Sequence, residues 1–420
     1  MRTDVDYARQ LDHEDALSHF RNEFVIDDPD LIYLDGNSLG RLPKRTVARL
    51  REVVEAEWGG RLVLGWNEGW FTLSQRIGGK IAKLIGARED EVIICDSTSV
   101  NLFKLVAAVL WARLGRTQIV TDALNFPSDL YVLDGVLDMV GKDRALRIVE
   151  SPDGMTVPLD RLAAAMDGDT ALVALAHTSF KSGFVYDMGA VTAAAHRAGA
   201  TMLWDLCHSV GAMPVDLGAA GVDLAVGCTY KYLNGGPGAP AFLFVRRDVN
   251  ERLYSPIWGW FGQRDQFAFD TTYEPAAGIT QFQAGTPPIL SLAAVEPGVD
   301  LVLEAGAERI RAKSLRLTEY MIALWHELLE PLGVTLNSPR DPARRGSHVS
   351  FGHVEGLRVA RSLIADMHVV PDFRTPDNIR FGVSPLVTTF AEVHTAVTRL
   401  REVIERRLFE KYAHERPTVT

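Results

Sequence analysis

Apolar residues in the middle of this chain fall into short runs, and each run is followed by a stretch where they recur every three or four positions. The runs at 92–95, 118–121, 146–150, 171–175 and 201–204 read as buried strands. The stretches at 100–113, 129–140, 159–166 and 187–198 read as helices. Two more apolar runs follow, 224–228 and 242–245. Strands alternating with helices predict a mainly parallel sheet with helices on both faces, an α/β fold. Ligands of such sheets bind at the carboxyl ends of the strands. The flanks differ. Residues 1–30 are polar, with helical spacing around 16–24, and read as an arm. Helices are expected over 45–58, opened by Pro43, and over 75–85. Towards the end, 291–329 reads as largely helical with a break near Pro297. Helix 356–366, strand 379–383 and helix 390–410 then follow. The expected organisation is an N-terminal arm (1–44) packing with a small α+β domain (296–420), and a large α/β domain (45–295) between them.

Composition narrows the class. The chain has 420 residues, 47% apolar and 23% charged, ordinary for a globular protein with a sizeable core. A net charge of −10, with no Lys/Arg block, argues against a nucleic-acid surface. The acidic, polar start is not a secretory signal, and the longest apolar runs are too short to span a bilayer. Cys95, Cys207 and Cys228 all lie in apolar, strand-like contexts. An odd count there fits a reducing cytoplasm and no disulfide framework. The cysteines are dispersed and no HExxH or CxxC occurs, so no metal site is expected.

The candidate chemistry sits at strand ends. Strand 224–228 runs into Thr229-Tyr230-Lys231 and then the turn Gly235-Gly236-Pro237-Gly238. Burial favours a neutral amine, and a neutral amine forms a Schiff base with an aldehyde. Lys231 is therefore a candidate to hold pyridoxal phosphate. A lone lysine there is more often a surface residue, so the reading depends on the other pieces. Asp205 ends strand 201–204; a carboxylate there is costly unless paired, and a pyridinium N–H is one partner. A structural aspartate capping the next turn is the other reading. His208 beside it could bond Asp205 or the ring. Ser97-Thr98-Ser99 lies between a strand and a helix, where the same geometry serves an N-cap or an anion site. In Phe126-Pro127-Ser128-Asp129 the phenyl ring could stack on a flat cofactor, while Asp129 could equally be favoured by the helix dipole. Asn37 and Ser38, in the turn Asp35-Gly36-Asn37-Ser38-Leu39-Gly40, are candidate ligand contacts or parts of an ordinary turn. Its GxSxG string lacks the helix a nucleophile elbow needs. The aromatics Trp58, Trp66, Trp70 and Phe71 line either a pocket or the core. Arg380, on an apolar strand, suits bidentate carboxylate recognition, with Arg374 as its competitor. No nucleotide phosphate fingerprint fits.

Together, YLDGNSLG, Ser97–Ser99, FPSD, Trp204-Asp205-xx-His208, Tyr230-Lys231-Tyr232-Leu233-Asn234, Gly259-Trp260-Phe261-Gly262 and Arg380 resemble kynureninase. The resemblance is colinear from about Tyr33 to Leu386. It implies a fold-type I pyridoxal phosphate enzyme of tryptophan catabolism that splits L-kynurenine, with 3-hydroxykynurenine a second candidate, into anthranilate and L-alanine. It implies Lys231 as the Schiff-base lysine, Asp205 on the pyridine nitrogen with His208 nearby, and Phe126 and Asp129 on the ring. Thr98, Ser99 and Tyr230 are implied at the phosphate and Arg380 at the substrate carboxylate. Trp260 and Thr286 are implied to reach the site from a second subunit, hence a homodimer. Tyr230 is the expected proton-transfer partner near the γ-carbonyl. Some members differ at Trp66, Ala176 and Thr286; Trp66 and Thr286 as found here resemble bacterial members that prefer L-kynurenine. The rivals are a cysteine desulfurase-like enzyme, which needs a cysteine on a mobile loop, another lyase with the same cofactor or a variant acting on a modified kynurenine, and a non-catalytic binding protein.

Overall fold

The computed structural model describes residues 1–141 and 145–414. A short strand β1 (Ile32–Tyr33) precedes the strands of the main sheet. These are β2 (Val92–Ile94), β3 (Gln118–Asp122), β4 (Ala145–Val149), β5 (Thr170–Ala176), β6 (Thr201–Asp205), β7 (Leu224–Gly227) and β8 (Phe242–Val245). They form one seven-stranded sheet in the order β2-β8-β7-β6-β5-β3-β4. All neighbours are parallel except β8, which runs against both β2 and β7. Strands β5, β6, β7 and β8 are buried along their whole length. That is why they read as unbroken apolar runs and not as alternating ones.

Helices Thr98–Ala112 and Pro127–Val140 pack on one face of the sheet, burying Leu105, Val109, Leu133 and Val136. Helices Leu73–Leu84, Leu159–Ala165, Met188–Arg197 and Ile289–Ala305 pack on the other, with Ile77, Leu162, Val191 and Val295. The expected break at Pro297 does not occur. Pro297 is buried inside helix Ile289–Ala305, and the chain breaks at Gly306, whose φ is 80°. Tertiary packing carries the helix through the proline, and glycine accepts the left-handed turn at no steric cost. Gly298 explains the close fit: a Cβ there would strike the carbonyl of Leu233. The helix thus lies directly on the backbone that follows Lys231.

A second core gathers Leu317, Phe351, Phe381 and Leu400 with Ala8 and Leu11 of the N-terminal helix Val5–His13. It contains the antiparallel sheet β12 (Asp372–Arg374), β13 (Asn378–Gly382), β10 (His348–Gly352) and β9 (Thr335–Leu336), in that order. Strand β11 (Val369–Val370) pairs with β1. Only β13 is predicted from the apolar pattern; β9, β11 and β12 are two or three residues long, too short to show a period. The Asp12 carboxylate caps the helix Phe390–Glu405, accepting from the backbone N–H of Phe390 at 2.7 Å and of Ala391 at 3.0 Å. Leu17, Phe20 and Phe24 of the same arm belong to the main-sheet core. The arm therefore joins both cores.

Candidate active site

At the carboxyl ends of β2, β3, β5, β6 and β7 lies a cavity of ≈ 210 Å³. Its lining includes Asn37, Ser38, Thr98, Ser99, Phe126, Asp129, Asp205, His208, Tyr230, Lys231, Arg374 and Arg380, candidates spread over more than 300 positions of sequence.

Lys231 follows the end of β7. Its Nζ lies 3.5 Å from His208 Nε2 and 5.8 Å from the centroid of the Tyr230 ring. Burial, and then the positive charge of Lys231, hold the His208 imidazole well below its usual pKa, so it is neutral. Asp205 closes β6, and its Oδ1 accepts from the Cys207 backbone N–H at 2.6 Å. The aspartate does cap its own turn, and it still faces the cavity. Asp129 is buried beside it. Burial and then the Asp205 charge push the Asp129 carboxyl well above the usual range, and a hydrogen bond links the two side chains. Like-charged carboxyls in one buried site disfavour ionising together, and burial with the charge beside it makes Asp129 harder to ionise than a free carboxyl.

The hydroxyl cluster resolves by residue. Ser97 caps the helix, accepting from the Val100 N–H at 3.4 Å. Thr98 and Ser99 open the first turn and line the cavity. The Ser99 hydroxyl lies 3.2 Å from that of Ser128, so the N-termini of helices Thr98–Ala112 and Pro127–Val140 converge. The positive ends of two helix dipoles favour an anion there. The Phe126 ring stands on the cavity wall, edge to face with Phe180 at 5.2 Å. Burial raises the pKa of the Tyr230 hydroxyl, which keeps its proton.

The same cavity also carries cations, Arg374 and Arg380. Arg380 is 1% exposed. Its Nη1 donates to the Phe180 carbonyl at 2.5 Å, and its Nη2 donates to Ser38 Oγ at 2.9 Å and to Asp372. Asn37 presents its amide oxygen to Arg380 Nε at 2.9 Å. Asp35 lies 3.9 Å from Arg380; burial and then the Asp372 charge raise its pKa to about 6. The glycines of this turn are steric requirements. A Cβ on Gly40 would strike the Lys231 carbonyl and Asn234, and the Gly40 N–H donates to the Tyr230 carbonyl at 2.8 Å.

Trp66, Trp260 and Thr286 are not in this cavity. Trp66 packs against Trp70 and Phe261, Trp260 is 42% exposed and Thr286 is exposed. Conversely, Ser128, Thr178, Phe180 and Cys207 line the cavity without having been singled out. Ser128 and Cys207 lie inside quoted motifs. Thr178 and Phe180 follow β5, where the strand-end rule alone could have found them.

The fold defines the class. The apo structure of a cysteine desulfurase from Thermococcus onnurineus NA1 matches with a TM-score of 0.78 at 19% identity, covering 92% of this chain and 98% of that one. A C-DES mutant with glycine covalently linked to its PLP cofactor matches at 0.78 and 17%, covering 89% and 97%. This is the α/β fold of the fold-type I PLP enzymes. The family follows from sequence. The kynureninase C-terminal domain matches residues 310–400. The kynureninase of Pseudomonas fluorescens is 46% identical over 402 residues, 94% of either chain. That of Burkholderia mallei (strain SAVP1) is 43% identical over 403 residues, 95% of either chain. The chain belongs to the kynureninase family.

Proposed function

We infer that this protein binds pyridoxal phosphate and hydrolyses the Cβ–Cγ bond of L-kynurenine, giving anthranilate and L-alanine in tryptophan catabolism. The observation that carries this is the meeting of an amine, a carboxyl pair, an anion-binding helix start and an arginine in one cavity. That donor set fits the cofactor at each end. Thr98, Ser99 and Tyr230 would hold the phosphate, Asp205 the ring N–H, Phe126 the ring face, Asp129 and His208 its edge, and Lys231 the aldehyde carbon. When bound, the cofactor supplies an electron sink for charge that develops at the substrate Cα.

The chain's own groups do the rest. Arg380 binds the α-carboxylate, with Asn37 and Ser38 setting its fork. Lys231 Nζ takes the Cα proton, and neutral His208 beside it adds no opposing charge. Tyr230, which holds its proton, donates at the γ-carbonyl as a water oxygen joins that carbon. The Cβ–Cγ bond then breaks, the carbonyl carbon departs as the carboxylate of anthranilate, Cβ gains a proton, and Lys231 returns a proton to Cα to complete alanine. The exposed Trp260 and Thr286 complete the partner's cavity in a homodimer. All three cysteines are free and buried, which supports a cytoplasmic location and leaves no cysteine on an exposed loop of the kind a desulfurase needs. Among the described residues no helix is long and apolar enough to cross a membrane.

The decisive assay follows anthranilate fluorescence with pyridoxal phosphate present. L-Kynurenine is expected to exceed 3-hydroxykynurenine in kcat/KM by roughly 10- to 10²-fold, the usual discrimination over one added hydroxyl. Silence with both substrates would remove the function and leave the fold.

The pH dependence should report Asp35. Asp372, Arg380, Arg374 and Tyr33 surround it. Below about pH 6 Asp35 is neutral, and above it the anion opposes an incoming carboxylate. KM for L-kynurenine should climb as pH rises through about 6, and Asp35→Asn should flatten the climb. A KM that is flat in the wild-type protein would count against this.

A further inference from the structure

Arg380 does not act on the cavity alone. Strand β12 lies beside β13 with Asp372 directly opposite Arg380. Asp372 is 0% exposed and divides its two oxygens. Oδ1 accepts from Arg374 Nη1 at 2.8 Å, and Oδ2 accepts from Arg380 Nη2. Both arginines line the cavity; Arg374 is half-buried and Arg380 fully buried. A short strand with alternating side chains brings this about, since residues 372 and 374 share one face of β12.

The charges explain why one carboxylate stands between two guanidinium groups. Two neighbouring cations, one fully and one partly buried, repel, and an anion between them offsets that repulsion. With Asp372 in place the trio itself carries one net positive charge, which matches one carboxylate, and Asp35 beside it offsets that charge when ionised. Most of the Arg380 donors already meet protein acceptors, namely Phe180 O, Ser38 Oγ, Asp372 and Asn37. The cation that an arriving carboxylate meets is therefore the pair.

We propose that Asp372 is a positioning residue for substrate carboxylate recognition: it holds Arg374 and Arg380 together as a two-guanidinium clamp at the end of the cavity. This rests on the reading that the cavity takes an amino acid whose carboxylate meets Arg380. Asp372 touches neither substrate nor cofactor and acts through the arginines. Asn at this position keeps the size and one acceptor but loses the charge that holds both forks.

The test is Asp372→Asn in the full chain, with two readouts. KM for L-kynurenine should rise by about 10- to 10²-fold, the worth of a charge-assisted hydrogen bond, with kcat within about two-fold because the loss is in ground-state binding. Separately, in protein freed of cofactor, Arg374 and Arg380 should react severalfold faster with phenylglyoxal, read by peptide mass spectrometry. A folded Asp372→Asn protein with unchanged KM and unchanged labelling overturns the proposal. If that variant does not fold, Arg374→Gln, which leaves the Asp372–Arg380 pair in place, carries the test. A similar rise in KM supports the clamp, and an unchanged KM overturns it. If the wild-type protein turns over no L-kynurenine, the proposed function fails, while the labelling experiment still decides the role of Asp372.

Discussion

Lys231→Ala is expected to abolish turnover. Loss of a positioned proton-transfer group costs about 10²- to 10⁴-fold in kcat, and Lys231 is also the proposed covalent tether, so the larger figure is the floor. The amine makes one side-chain hydrogen-bond contact, with His208 at 3.5 Å, and stands half-buried. Its removal shortens a partly exposed side chain without opening the core, so the fold should lose no more than about 1 kcal/mol. The variant should bind pyridoxal phosphate without the yellow colour of the imine. Borohydride reduction followed by peptide mass spectrometry checks the attachment. Wild-type protein should carry the reduced cofactor on the peptide containing Lys231, and the variant should carry none. Label on another lysine, or a variant with near-wild-type kcat, would sink the assignment.

The second large effect is expected from a residue with no side chain. Gly40→Ala places a methyl group against the Lys231 carbonyl and the Asn234 side chain. The obstacle includes backbone, which cannot rotate away. Overpacking of this kind costs about 1–3 kcal/mol. The activity loss should be larger than that implies, because the displaced backbone carries Tyr230 and Lys231, and a shift of about 1 Å in a reacting group costs on the order of 10²-fold. The hydrogen bond from the Gly40 N–H to the Tyr230 carbonyl, 2.8 Å long, would be strained in the same movement. Thermal unfolding and kcat/KM measured together check this. A Gly40→Ala protein that is less stable yet fully active would show that the turn is only scaffold.

Much of the site was legible because each candidate stands where a local pattern changes. Asp205 and Lys231 are polar residues at the ends of apolar runs, and Thr98, Ser99 and Asp129 open helices. A parallel sheet puts all such ends on one side, so reading the strands already brought these residues near one another. Arg380 was legible for the same reason, as a charge inside an apolar strand. Its partners were not. Ser38, Phe180 and Asp372 come from three separate segments, and their meeting depends on how β13 sits beside β12 and against the loop after β5. Helix Ile289–Ala305 taught the opposite lesson: a proline signals a break locally, but packing on the Leu233 backbone overrode it. Trp66, Trp260 and Thr286 came from the family resemblance, and none of them lines the cavity in this chain.

The sequence alone determined the α/β alternation, the strand ends that bear the chemistry and the lysine at their centre. These follow from periodicity and from the cost of burying polar groups, which act over a few residues. Tertiary structure alone decided which carboxyl is buried against Asp205, which anion pairs the two arginines and how near the Gly40 turn comes to Lys231. Those are matters of distance between segments far apart in the chain. Electrostatics and steric exclusion act on such distances, and no local pattern encodes them.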